Sequence, residues 1–139
     1  MSNIETYRQQ LAAAVEVARE SYADQNLIIE YDNRYLVDMN TQTDPFLCVE
    51  VTYAGARQAD LSNKPVHMIA GLLVLTAKVR EGAGTANAYN LLDHFYEKLQ
   101  FRVIGDCRME MANIVRPAKL AGWWGISAII PFRVNKFPT

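Results

Sequence analysis

Apolar residues recur at three- and four-residue steps near the start of the chain, at Ile4, Tyr7, Leu11, Val15, Ala18 and Tyr22. That spacing forms one stripe and predicts an amphipathic helix over residues 3–22. Ser2 and Glu5 form a capping-box pattern at its start. A short strand is expected at 27–31. The stretch 32–45, DNRYLVDMNTQTDP, is polar and aperiodic and ends in a turn signal, so it reads as a loop. The period then changes to two. Leu47, Val49, Val51 and Tyr53 alternate with Cys48, Glu50 and Thr52. This predicts a strand over 45–54 in an antiparallel sheet with one wetter face. A second polar loop, GARQADLSNKP, covers 55–65 and resembles an extended hairpin connection.

The run 66–80, VHMIAGLLVLTAKVR, is apolar on both faces until Thr76 and predicts a long strand. Gly71 in its middle suggests a bulge or a close approach by other backbone. A strand of this length exceeds what one small sheet needs, so it is expected to bend or to project toward a partner. Gly82 and Gly84 turn the chain, and Thr85 stands where an N-cap is wanted. The helix that follows should bury Ala88, Leu91, Leu92, Phe95 and Leu99. A fourth strand is expected over 102–115, with a turn at Gly105 and Asp106. Next comes a connection at 116–122 that contains Pro117. A fifth strand over 123–134 carries Pro131, which argues for a sheet edge or a strand end. Helix, strands, helix, strands is an α+β order. The expected architecture is one domain, 1–139, with a mostly antiparallel sheet of about five strands and two amphipathic helices on one face.

Composition sharpens this only in places. Half of the 139 residues are apolar, enough for a core without disulfides or metal. The net charge of −1 gives no global field for nucleic acid or membrane. Cys48 and Cys107 sit in apolar strand-like runs and are expected to be unpaired and unreactive, as suits a reducing compartment. The polar N-terminus lacks an export leader's pattern, and the apolar runs are too short to span a bilayer.

Candidate chemistry is sparse. The glycine turn at 82–85 precedes a helix, but no Gly-Lys-Thr follows and the dinucleotide spacing is missing, so it reads as a strand-to-helix turn. His67 and His94 have no second ligand at metal spacing, and His94 is read as part of a charged surface cluster with Asp93 and Glu97. Glu30, Asp32, Asp38 and Asp44 flank the first loop and read as solvated. No nucleophile, base and orienter fall together. Trp123 and Trp124 are adjacent, so in a strand they face opposite ways. One can enter the core while the other is an interface anchor, or the chain's own loops can cover both.

Several features occur together in a known order. They are the core strand from Pro45 through Val51, then Gln58, Leu61 and Pro65 in the loop, and Gly71, Leu73 and Leu75 in the long strand. Gly82 to Thr85 opens the helix, and Gly122-Trp123 with Ile130-Pro131-Phe132 closes the chain. In this the chain resembles bacteriophage tail-terminator-like proteins, the neck and tail-completion proteins of long-tailed phages. The 32–44 loop departs from that pattern, having no aromatic-proline signature. The resemblance implies a structural virion subunit, made in the bacterial host cytoplasm, that forms a ring of about six copies. The ring would cap the tail tube and join it to head-side connector proteins, with DNA only passing through the lumen. It implies no enzymatic activity and no cofactor; no metal and no membrane contact is expected either, from the missing ligand spacing and the short apolar runs. Candidate contact residues are Arg34, Asp38, Arg57, Gln58, Asp60, Leu61, Lys64, Trp123 and Trp124. The alternative is an α+β small-molecule-binding domain or enzyme with a pocket between helices and sheet, which needs convergent polar groups in an apolar cleft. A third reading is an adaptor dimer of cellular origin with one two-fold interface.

Overall fold

The computed structural model describes residues 3–32, 36–58, 67–120 and 122–136. Among the described residues two helices, α1 (Asn3–Glu20) and α2 (Ala86–Leu99), join seven strands: β1 (Ile29–Tyr31), β2 (Phe46–Gln58), β3 (His67–Arg80), β4 (Val103–Ile104), β5 (Cys107–Met109), β6 (Asn113–Leu120) and β7 (Trp123–Lys136). The fold is α+β. All seven strands belong to one sheet in the order β1, β2, β3, β7, β5, β4, with β6 also paired to β7. The sheet is mixed, because β1 runs parallel to β2, and it holds more strands than the alternation alone predicted.

Side-chain parity decides which face is buried. Leu47 and Val49 of β2, Leu73, Leu75, Ala77 and Val79 of β3, and alternate residues of β7 from Ile126 to Val134 point to the helices. They pack there with Leu11 and Val15 of α1 and Leu91, Phe95 and Leu99 of α2. The predicted α1 stripe holds at Tyr7, Leu11, Val15 and Ala18. Ile4, in its first turn, is 51% exposed. The turn between β4 and β5 is pinned to α1 by a reciprocal pair: Gln10 donates to the Asp106 carboxylate at 3.1 Å, and the Asp106 amide donates to Gln10 Oε1 at 3.1 Å. At the start of α2, Thr85 makes no side-chain capping bond.

The strands differ from their sequence reading in four ways. β2 runs on to Gln58, so 55–58 is strand and not loop. The single strand expected over 102–115 is broken into β4, β5 and β6. Pro117 lies inside β6, at a register shift between Val115 and Ala118, and β6 and β7 meet in a tight hairpin at Gly122 (φ +85°). A bulge removes the objection to proline, since the ladder is interrupted there anyway. Pro131 is likewise not at an edge. It pairs with Leu72 in the middle of the sheet. Its carbonyl accepts from Glu110 N–H at 2.8 Å, on the flank where β5 has ended and β6 has not begun. The missing proline N–H therefore falls in a gap of the ladder.

Gly71 sits opposite Tyr53, where β2 shifts register by one residue. A Cβ on Gly71 would meet the Phe132 ring and, at 2.9 Å, the Thr52 carbonyl oxygen. The close approach read from the sequence is present, with an aromatic ring as its main partner.

Candidate functional site

The far face of the sheet carries Cys48, Glu50 and Thr52 of β2, Leu72, Val74, Thr76 and Lys78 of β3, and Ser127, Ile129 and Pro131 of β7. Both helices lie on the opposite face and every described strand is in the one sheet, so no described helix or strand covers this face. Leu72, Val74, Ile129 and Pro131 make a half-buried apolar band across the central strands. Thr76 and Ser127 share a hydroxyl hydrogen bond of 2.8 Å beside it. This surface carries few groups able to do chemistry.

One end of the face is closed by the 36–45 loop, and the closure is polar. Met39 O accepts from Trp123 Nε1 at 3.0 Å and from the Arg80 guanidinium at 2.9 Å. Gln42 O accepts from Arg80 Nε at 2.8 Å. The guanidinium lies 4.6 Å from the Trp123 ring centroid, and Phe46 meets that ring edge-on at 5.0 Å. Glu30, buried at 8% exposure, takes the Leu36 and Val37 amides at 2.7 and 2.9 Å. A carboxylate that accepts two backbone N–H groups is a strong, directional anchor. Glu30 is thus not a solvated loop residue, and its partners were not readable from sequence spacing.

The contact candidates separate into three groups. Trp123 is 2% exposed and covered by its own chain's loop, so it is no outward anchor. Trp124 faces the helices, half-buried, with its ring 5.9 Å from Tyr89. The two indoles do face opposite ways, and the chain itself shields both. Asp38 is exposed on the anchored loop and accepts from the Asn40 amide at 3.0 Å. Arg57 and Gln58 lie at the end of β2. Arg34, Asp60, Leu61 and Lys64 fall outside the described residues.

The chemistry elsewhere is structural. Burial lifts the Cys48 thiol to about 12, with Lys78 opposing and Glu30 adding to the shift, and lifts Cys107 to about 11. Both are free, and both are held protonated. His94 is half-buried and not in a surface cluster. Its Nε2 lies 2.8 Å from Ala18 O at the end of α1 and 3.4 Å from Ser21 Oγ. A ring nitrogen facing a carbonyl oxygen must carry the proton, so it is no base toward that serine. Among the described residues no group of three His, Cys, Asp or Glu side chains could hold a metal ion.

A polar hollow of 710 Å³ lies between α1 and β1. Its groups are mostly engaged with one another. Tyr31 donates to Glu16, and Asp32 accepts the Val51 amide at 2.9 Å and faces Arg8 at 3.6 Å. That network ties helix to sheet edge and, among the described residues, leaves no convergent set of free donors.

No known protein family matches the chain, and no curated protein resembles it in sequence. Solved structures share its fold. One, whose name states no activity, superposes with a TM-score of 0.64 at 12% identity, over 94% of this chain and 97% of its own. That likeness concerns architecture alone.

Proposed function

We propose that this chain is an assembly subunit that forms a closed ring of the tail-terminator kind, binding the end of a tail tube and turning over no small molecule. The observation that carries the reading is the far face of the sheet: the long strands β3 and β7 present an apolar band that no described helix or strand covers. Apolar patches of this sort on a soluble subunit serve contacts with other proteins. The strands of 13 and 14 residues also exceed the usual ~5–6 by a factor of about two, which extends the sheet toward the 59–66 connection. A head-to-tail contact using such a face closes into a ring when the rotation permits. The order of residues from Pro45 to Phe132 that resembles tail terminators supplies the choice of ring and tube over other assemblies. The anchored 36–45 loop with exposed Asp38 would contribute rim charges that set register and on-rate more than affinity.

The test is assembly with the matching tube protein, viewed by electron microscopy and native mass spectrometry. Tubes should acquire a ring at one end only. Val74→Arg, on the far face, should fold but fail to form the ring. Uniform failure of the unaltered chain to bind tubes, with hydrolase or transferase turnover in a broad screen, would overturn the reading.

A further inference from the structure

On the opposite side of the molecule, α1, the end of α2 and β4 enclose a groove of 620 Å³. Its floor is apolar: Ala14 and Ala18 from α1, Leu99 from α2, and Ile104 from β4. Two apolar residues of its lining also stand in water. Val17 is 64% exposed and Val103 is 70% exposed. Between the lining residues Leu99 and Val103 the chain carries Phe101, 68% exposed and held at φ 60°. An aromatic residue in the left-handed region is uncommon and is kept only where the surroundings enforce it. Here it sets a large apolar ring outside the core. Met111, also exposed, follows Glu110, whose carbonyl accepts from the Phe101 amide.

The charges around this groove have one prevailing sign. Lys98 and Arg102 line it, and Arg108 stands directly across the strand pair from Val103. None of the three has an ion-pair partner among the described residues. Among the described residues that line it, Glu20 is the one carboxylate. Three unneutralised cations around an apolar trough select a ligand with carboxylates flanking an apolar ridge. A nucleic acid would leave the apolar floor unfilled, and a bilayer is too flat to enter a concavity.

We propose that this groove docks an acidic amphipathic segment of another protein, with its apolar side chains between Val17 and Val103 and its carboxylates on Lys98, Arg102 and Arg108. The site is separate from the far face of the sheet and does not depend on the ring reading.

The probe is a labelled synthetic helical peptide with leucines at i, i+4 and i+7 and glutamates beside them. Its comparisons are the same leucines flanked by lysines, and the same glutamates with leucines replaced by serine. Fluorescence anisotropy should show the acidic apolar peptide binding about tenfold or more tightly than either comparison, weakening in high salt. Amide shifts should centre on Val17, Leu99, Val103 and Ile104. Val103→Glu, at an exposed position, should abolish binding with stability intact. Phe101→Gly should weaken binding while stability holds or rises, because glycine accepts the positive φ; a purely structural ring would give the reverse. Equal binding of acidic and basic peptides would overturn the proposal, as would no binding at millimolar peptide or shifts centred elsewhere. So would loss of self-association in Val103→Glu, which would make the occupant a second copy, or binding of anionic lipid vesicles in preference to the peptide.

Discussion

The two faces of the sheet are closed by different physics. The helix face is shut by two amphipathic stripes laid over alternating aliphatic side chains, and its energy comes from removing apolar surface from water. That attraction has no direction, so it tolerates small shifts of helix against sheet. The far face is shut only at one end, by a loop held through the Trp123 indole, the Arg80 guanidinium and the Glu30 carboxylate. Those bonds are directional and hold the backbone of the 36–45 segment at particular atoms. One face makes the domain stable. The other uses polar anchors to hold a loop in place, and no described helix or strand covers the rest of its surface.

The comparison breaks first at the helix face. Phe95→Ala should cost about 3–5 kcal/mol in urea denaturation, since the ring is fully buried between α2 and the sheet. A loss below about 1 kcal/mol would mean that α2 does not depend on that packing. Arg80→Met should cost about 1–3 kcal/mol, because it strips donors from Met39 O and Gln42 O while keeping most of the apolar stem. Its signature is local: amide exchange should quicken across 36–45 and stay slow in α2. Uniform loss of protection in both regions would show that the two faces are not energetically separate.

Alkaline titration probes the edge of the far face through Cys48. Its thiol is raised from 9.0 unfolded to about 12 folded, mainly by burial. The protonated thiol is the form the fold prefers, so its contribution is complete below 9 and is lost as pH climbs through about 12. Thiol labelling at neutral pH should therefore be slow in the native state, and Cys48→Ala should flatten the alkaline loss of stability. The smallest effect belongs to Thr85→Ala. A capping threonine usually contributes about 1 kcal/mol, but this one makes no side-chain bond, so the loss should stay under about 0.5 kcal/mol. A larger value would place a capping bond at the start of α2 after all.

Local periodicity made much of the architecture readable. The 3.6 spacing of Leu11, Val15 and Ala18, the α2 stripe from Ala88 to Leu99 and the alternation from Leu47 to Tyr53 each name their own buried face, because that face is a property of neighbours in sequence. The opposite facing of Trp123 and Trp124 follows from the same rule. Whether either indole met solvent did not follow, since Trp123 is covered by residue 39, far away along the chain. Glu30 and His94 were misplaced for a related reason. Their partners are loop amides and the end of another helix, and a charged or polar residue announces nothing about which distant backbone group it will meet.

What the amino-acid order alone determined was the α+β composition, the helix stripes, the glycine at the crowded position 71 and the absence of any familiar catalytic spacing. What only the tertiary structure decided was the course of the second half of the sheet. In isolation Pro131 argues for a sheet edge or a strand end and Pro117 for a connection, yet Pro131 pairs in mid-sheet, where the strand on its other flank is interrupted, and Pro117 sits inside β6, whose own register shift falls there. The same assembly left one face uncovered and opened a cation-rimmed groove on the other side. Both surfaces are made by residues far apart in sequence, and packing alone brings them together.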